Sequence, residues 1–185
     1  MKALTDAELL LLGLVAEMPR HGYELDSVIE QRGMREWTQI GFSSIYFVLG
    51  KLEKLGLILA KKPAGAKAGA KARKVYSTTA AGRKALAAQT LAALRDLQRA
   101  YSSVLLGMIN FAVLTRDGAL EALSARGEAI KAEQARLAAI QIERQPLPDY
   151  VEAMFEFSQG QLRAEAEWVA RTHAYMATKP WLDEE

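Results

Sequence analysis

The chain has 185 residues, half of them hydrophobic and a quarter charged, with a formal net charge of +2. This composition is typical of a globular protein of one domain or two small ones, and it excludes a disordered or collagen-like chain. There is no cysteine, which excludes disulfides and cysteine-ligated metal sites, and the only histidines, His21 and His173, lie too far apart in sequence to suggest a zinc hydrolase.

The first predicted helix begins at Thr5, which has the spacing of a capping box with Glu8, and ends at Pro19. Its apolar run from Leu9 to Ala16 is too short to span a bilayer, and no small-residue cleavage site follows it. We therefore expect a buried helix in a soluble cytoplasmic protein that does not associate with membranes.

The second predicted helix begins at the sequence HGYE (residues 21–24) and ends near Gly33, with an apolar side that faces the core. Tyr23 is expected to lie at the edge of that core, close to the surface. His21 has two interpretations: it satisfies the end of the helix, which we favour, or it contacts a phosphate.

The third predicted helix begins at Ser43 or Ser44, whose hydroxyls suit the helix cap, and ends before Gly56. Its apolar stripe is Ile45, Val48, Leu49, Leu52 and Leu55. Its opposite side suits phosphates and base edges and carries Ser44, Tyr46, Phe47, Lys51 and Lys54, with Gly50 leaving the middle open. The second helix, a turn and this helix are expected to form a helix-turn-helix.

Two predicted strands, Gly56 to Lys61 and Arg73 to Ser77, flank a Gly/Ala/Lys tract typical of a mobile hairpin tip. From Ser43 to Thr78 there are eight Lys or Arg residues against one acid, a local charge of +7 that leaves −5 for the other residues. The pattern indicates a basic winged helix that faces a polyanion. The predicted DNA-binding residues are Tyr23, Ser43, Ser44, Tyr46, Lys51, Lys54, Lys67, Lys71, Arg73 and Lys74.

Three helices are predicted after the wing. The first runs from Ala80 to Leu114, after Thr79 as its cap, and its apolar residues alternate at spacings of three and four, as in a coiled coil. The next runs from Asp117 to about Gln145, and the last from Asp149 to about Ala177. From Asp117 onward thirteen acids face seven bases, so this half is expected to avoid DNA.

The predicted fold is mainly α: a winged helix-turn-helix of three helices plus a β-hairpin wing in residues 1–79, then a long-helix dimerisation domain in residues 80–185. Wide apolar faces on long helices favour a homodimer, and a two-fold dimer would place two recognition helices about 34 Å apart on a roughly palindromic operator. The predicted interface residues are Leu94, Leu97, Tyr101, Val104, Met108, Phe111, Met154, Phe155, Leu162 and Val169.

The segments LLLLGLVAEMPRHGYEL (9–25), SSIYFVLGKLEKLGLI (43–58) and RKVYSTTAAGRKAL (73–86) resemble the PadR family of bacterial transcriptional regulators. The long C-terminal helices resemble its larger subgroup. The resemblance implies a dimer that binds a palindromic promoter site, usually as a repressor and sometimes as an activator. It places Ser44, Tyr46 and Lys51 on the recognition helix and Tyr23 near the DNA backbone. Phe47 and Gly50 depart from the polar or basic residues expected at their positions.

Some members of that family release DNA when a small aromatic acid or planar drug binds near the dimer interface. The resemblance therefore implies a candidate effector pocket lined by Tyr101, Phe155, Trp168 and His173, with Phe111 and Tyr175 as further candidates. Packing is the favoured interpretation of these aromatics, and His173 on an apolar face is more often a hydrogen-bonded core residue.

Three alternatives remain. One is a winged-helix adaptor that binds protein, which would not need a segment with a charge of +7. Another is a MarR-type regulator, which usually has helices before the winged domain. The third is an enzyme, but no nucleotide-binding, zinc-protease or serine-hydrolase motif is present, so we expect no catalytic residue, cofactor or metal.

Overall fold

The computed structural model describes residues 3–61, 74–97 and 101–181. It divides into two compact units, Met1–Arg99 and Ala100–Glu185. The boundary predicted after Thr79 separates a DNA-binding part from a dimerisation part by function, and it stays a prediction.

The N-terminal unit is a three-helix winged fold with a further helix attached. Its helices and strands are α1 (Asp6–Glu17), β1 (Arg20–His21), α2 (Gly22–Gln31), α3 (Phe42–Lys54), β2 (Ile58–Lys61), β3 (Val75–Thr78) and α4 (Ala80–Arg95), with a 3-10 turn at Met34–Glu36. The predicted helix-turn-helix and the two hairpin strands are confirmed.

The sheet has three antiparallel strands in the order β1-β3-β2. Tyr76 in the central strand faces Arg20 on one side and Ala60 on the other. Strand β1 was not predicted, because two residues carry no alternating pattern. Through β1 the start of α2 is fixed directly to the wing strand β3.

The core of this unit lies around α1, which packs against α3, α4 and β3. Leu11 and Leu12 are fully buried there, as are Leu49 and Leu52 of α3. The aliphatic stripe predicted on the third helix is therefore confirmed for these positions. Leu55, predicted as part of the stripe, is 54% exposed because it lies at the C-cap.

The predicted capping box of α1 is confirmed. The Thr5 N–H donates to Glu8 Oε2 at 2.8 Å, and the Glu8 N–H donates to Thr5 Oγ1 at 3.3 Å. The cap predicted for α3 is wrong, because the helix begins at Phe42 after Gly41, which places Ser43 in the first turn. The predicted left-handed stop is confirmed, with Gly56 at φ 71°.

The helix predicted to run from Ala80 to Leu114 is wrong beyond Arg95, where α4 ends and Asp96 is extended. Leu94 in the last turn of α4 is 84% exposed, and Leu97, which was expected to continue the helix, is 97% exposed. A helix is stabilised mainly by packing of its apolar face, and these side chains have little such packing within the described ranges.

The C-terminal unit is built on a pair of long helices. Its elements are α5 (Ser103–Ile109), a 3-10 turn at Phe111–Val113, α6 (Arg116–Glu143) and α7 (Asp149–Thr178). The boundaries of α6 and α7 confirm the predicted helices to within two residues. Leu123 and Ile130 of α6 pack with Val169 of α7. Trp181 donates from Nε1 to the Leu114 carbonyl at 2.9 Å. No helix in the described ranges has the length and apolarity required to cross a membrane.

Candidate nucleic-acid interface

The exposed side of α3 is the centre of the candidate interface. Its buried side is fixed by Ile45, Leu49 and Leu52, which are inaccessible to solvent. The first turn, with Ser43 and Ser44, faces solvent. A hydroxyl-bearing first turn at the positive end of a helix dipole is suited to an anion such as phosphate.

Two aromatic residues lie at the start of α3, and one of them, Tyr46, attaches the helix to α2. The Phe42 and Tyr46 rings meet edge to face, with centroids 5.8 Å apart. A Cβ added at Gly22 would lie 2.7 Å from Tyr46 Cε1, so the ring lies directly over the backbone of α2. Tyr46 is 47% exposed, and its free edge is available to a ligand. The role of Gly22 was missed, because the sequence gives no indication that these two residues meet.

Lys51 and Lys54, one turn apart, have different environments. The Lys51 ammonium forms an ion pair with the Glu8 carboxylate of α1, which is only 2% exposed. Lys54 is exposed and forms no ion pair within the described ranges. From the sequence, both lysines were predicted to bind DNA. The structure assigns Lys51 to the packing of α3 on α1 and leaves Lys54 open to solvent.

The Glu8 carboxylate is held in its charged form. Burial by itself raises the pKa of Glu8, but hydrogen bonds from Lys51 and Thr5, with the charge of Lys51, outweigh burial and the pKa lies below its ordinary value. The ion pair between Glu8 and Lys51 is therefore stable at neutral pH and sets the position of α3 against α1.

His21 and Tyr23 lie where β1 meets α2. The His21 N–H donates to Glu24 Oε2 at 2.7 Å, and His21 Nδ1 is 3.2 Å from the Lys74 carbonyl. The rings of His21 and Tyr23 stack with centroids 5.4 Å apart. His21 thus has structural contacts on two elements, and Tyr23, 41% exposed, is held at the surface by that stack.

The wing is described only at its base. Lys74 lies before β3 and forms an ion pair with Glu53 of α3 at 3.3 Å. Lys67, Lys71 and Arg73 fall outside the described residues, so their predicted contacts with DNA stay predictions.

A close joint between the end of α3 and the start of α4 supports the wing. The Thr79 hydroxyl donates to the Gly56 carbonyl at 2.8 Å and accepts from the Gly82 N–H at 2.9 Å. A Cβ at Gly82 would lie 2.0 Å from the Leu57 carbonyl oxygen. Thr79 was predicted as the cap of the helix, and this is confirmed. The closeness of Gly82 to Leu57 was missed, because it depends on a contact across the fold.

The predicted dimer residues fall into three groups. Leu94, Leu97 and Tyr101 are exposed in the single chain, at 84%, 97% and 86%. Val104, Met108, Met154 and Leu162 are partly buried. Phe155 and Val169 are buried within their own chain, at 3% and 4%, and Phe111 packs on Trp181 at 4.8 Å. Phe155 and Val169 therefore present little surface in the single chain, and the predicted interface stays a prediction.

The four candidate effector residues are not brought together in one chain. Phe155 and His173 are eighteen residues apart on α7, which is about 27 Å at 1.5 Å per residue. A groove of about 340 Å³ between α6 and α7 is lined by His173 with Val169 and Gly127, but by none of the other three candidates. Trp168 packs beside the α6–α7 core, and Tyr101 is exposed.

The model of the transcriptional regulator PadR-like family matches residues 11–88. No curated protein matches the chain significantly. Among solved structures, the chain is similar to Bacillus subtilis PadR in complex with operator DNA, with a TM-score of 0.71, 17% identity and coverage of 93% of this chain and 99% of that one.

Two further structures have the same fold. Bacillus subtilis PadR in complex with p-coumaric acid matches with a TM-score of 0.69 and 19% identity, over 92% of this chain and 98% of that chain. A PadR-like transcriptional regulator from Bacillus cereus matches with a TM-score of 0.64 and 18% identity, over 95% and 100%. These similarities extend over both units and confirm a winged helix followed by a helical C-terminal part.

Proposed function

We propose that the chain, whose residues 11–88 match the model of the PadR-like family of transcriptional regulators, acts as a homodimeric repressor on a roughly palindromic promoter site. The family is one of DNA-binding regulators and not of enzymes. The observation that supports DNA as the ligand is the charge distribution: residues 43–78 carry +7 while all other residues sum to −5. A basic segment of this kind is the electrostatic footprint of a nucleic-acid-binding surface.

In the proposed complex α3 enters the major groove. Ser43 and Ser44 direct hydroxyls and helix amides toward phosphates, and Lys54 neutralises a phosphate one helix length away. Lys51 acts through its ion pair with Glu8, which fixes the angle of α3. Tyr46 and Tyr23 lie at the edge of this surface and contact the DNA backbone. The wing adds Lys67, Lys71, Arg73 and Lys74 along the neighbouring phosphates.

The proposed dimer covers the apolar side chains that a single chain leaves open. Leu94, Leu97 and Tyr101 are each more than four fifths exposed, and Ile109 is 76% exposed. Such a concentration of large apolar side chains favours a partner surface, and a second copy provides one with two-fold symmetry. Two-fold symmetry then accounts for a palindromic site.

A small aromatic acid is proposed as effector. Bacillus subtilis PadR, of the same fold, has been captured with p-coumaric acid. Tyr101, Trp168 and His173 are the candidates that retain accessible surface here. An effector releases DNA only if it binds one arrangement of the dimer better than the other.

The protein is proposed to act in the cytoplasm, where the chromosome lies.

The alternative that stays open is the protein-binding adaptor, because α3 exposes Phe42 and Phe47 at 56% and 74%. The match to the PadR-like family model favours that family over the MarR-type alternative. A binding experiment separates the adaptor from the regulator.

The test is selection of bound duplexes from a random pool, followed by titration of the selected site and of DNA from upstream of the gene, against competitor and salt. We expect a symmetric consensus, two chains per duplex, and affinity that falls steeply with salt. Lys131→Ala, an exposed lysine of α6, is the control and should bind as the wild type does. Failure to bind any duplex at low salt would reject the regulator and favour the adaptor.

A further inference from the structure

We propose that Phe47, together with Gly50, reads thymine in the operator through apolar contact with its 5-methyl group. The inference rests on the proposed function, in which α3 enters the major groove. It adds a residue that determines sequence specificity, at a position where the family resemblance predicts polar or basic side chains.

Phe47 lies at the middle of the exposed side of α3. At about 100° per residue it points roughly 150° away from the mean direction of the buried Ile45, Val48, Leu49 and Leu52. Ser43 precedes it by one turn and Lys54 follows by two on the same side. A side chain in this position is the first to meet a base edge when the helix enters a groove.

Phe47 is also the most exposed of the three aromatic residues of α3, at 74%. Phe42 and Tyr46 contact each other, and Tyr46 covers Gly22. Phe47 has no ring contact with any residue in the described ranges. Its ring therefore keeps its apolar surface for a ligand, and that surface lies between a serine and a lysine suited to DNA phosphates.

Gly50 lies one turn after Phe47 on the same side. A Cβ added to it would meet nothing within 4 Å, and its backbone is not left-handed. Neither internal packing nor conformation requires a glycine there, although glycine is a poorer helix former than alanine in a helix interior. The missing side chain instead lowers the surface beside the Phe47 ring, so that a base edge can approach it.

The composition of α3 favours thymine over the other bases. Guanine is read mainly by Arg or Lys and adenine by Asn or Gln, whereas the thymine methyl is read by apolar contact. Helix α3 contains no Arg, Asn or Gln, and Lys51 is paired with Glu8. Lys54 lies at its end. The centre of the exposed side thus offers the apolar Phe47 ring, while the serine hydroxyls of the first turn and the Lys54 ammonium lie toward its two ends.

The experiment removes one methyl group at a time. In the site selected by the wild-type protein, each thymine is replaced singly by deoxyuridine, and dissociation constants are measured by fluorescence anisotropy for the wild type and Phe47→Ala. We expect one position in each half-site at which the wild type loses about fourfold in affinity, the effect of one buried methyl group. Phe47→Ala should bind thymine and uracil sites equally.

Two more variants complete the design. Phe47→Leu retains part of the apolar surface and should keep a reduced preference for thymine, which provides a measurable variant if Phe47→Ala binds too weakly. Gly50→Ala should weaken binding to the thymine site more than to the uracil site. Lys131→Ala, an exposed residue of α6 outside the proposed interface, is the control and should retain the full preference.

The outcomes separate the inference from the function on which it rests. Wild-type binding that no uracil substitution changes, or a full preference retained in both Phe47 variants, would overturn the reading of thymine and leave the regulator intact. Absence of wild-type binding to every duplex would overturn the proposed function itself, and the inference with it.

Discussion

At the scale of single residues, the two lysines of α3 and the buried Glu8 show how a charged residue changes its role with its surroundings. Lys51 lies beside a carboxylate that is 2% exposed, whereas Lys54 lies in solvent. A charge held by a buried partner contributes to stability, while an exposed one contributes mainly to the attraction of polyanions.

The first prediction separates the lysines. Lys54→Ala should leave the free energy of unfolding within about 0.5 kcal/mol of the wild type and lower the salt slope of DNA binding by about one. Lys51→Ala should destabilise the fold by about 1–3 kcal/mol, because the Glu8 carboxylate loses its charged partner. Urea unfolding and salt titration measure the two effects. Equal loss of stability in both variants would contradict the difference between them.

The second prediction concerns pH. Because the folded-state pKa of Glu8 is lowered, its contribution is fully present above its ordinary value of 4.5 and is lost as pH falls through the folded value. Glu8→Gln should therefore cost about 1–3 kcal/mol at neutral pH and progressively less in acid. Unfolding followed by circular dichroism at neutral and acidic pH measures this. A difference that does not depend on pH would argue against the charged pair.

At the scale of elements, the joint between α3, β2 and α4 determines how the wing is supported. Thr79 links the cap of α4 to the carbonyl of Gly56, and Gly82 passes close to the Leu57 carbonyl. The two strands of the wing are thereby attached to both α3 and α4. A change in this joint is expected to move the wing and to destabilise the unit as a whole.

The third prediction compares two helical glycines. Gly82→Ala should destabilise the protein by roughly 1–3 kcal/mol, because its Cβ would meet the Leu57 carbonyl oxygen at 2.0 Å. Gly50→Ala should stabilise it by about 0.5–1 kcal/mol, since its Cβ meets nothing and alanine favours the helix. Thermal unfolding of both variants provides the test. A stabilised Gly82→Ala would show that the joint is looser than described.

At the scale of the whole molecule, charge and apolar surface are distributed unequally along the chain. The basic residues concentrate in residues 43–78, while residues from Asp117 onward carry a net charge of −6. Large apolar side chains are exposed after Leu91 and through α5. This arrangement suits a protein with one surface for a polyanion and another for a second copy of itself.

The fourth prediction tests the second surface. Leu97→Glu should shift the protein toward monomer, because a dimer would have to bury an unpaired carboxylate. Analytical ultracentrifugation measures the mass, and affinity for a palindromic site should fall with it. Leu59→Glu, at an exposed leucine of β2, is the control and should leave the mass unchanged. A dimer unaffected by Leu97→Glu would exclude this residue from the interface.

The sequence by itself determined the features that depend on residues close together in the chain. The capping box of Thr5 and Glu8, the stop at Gly56, the aliphatic stripe of α3 and the limits of α6 and α7 were predictable, because caps and helical periodicity act within a few residues. The position of the basic wing followed from composition. The resemblance to the PadR family identified the winged fold from three short segments.

Only the tertiary structure decided the rest. The pairing of β1 with β3, the ion pair of Lys51 with Glu8 and the contact of Gly82 with Leu57 each join residues far apart in the chain. The prediction that α4 continues beyond Arg95 was wrong, because a regular apolar spacing predicts a helix only if another surface packs against it. Local patterns specify elements, whereas contacts between elements depend on which faces the folded chain brings together.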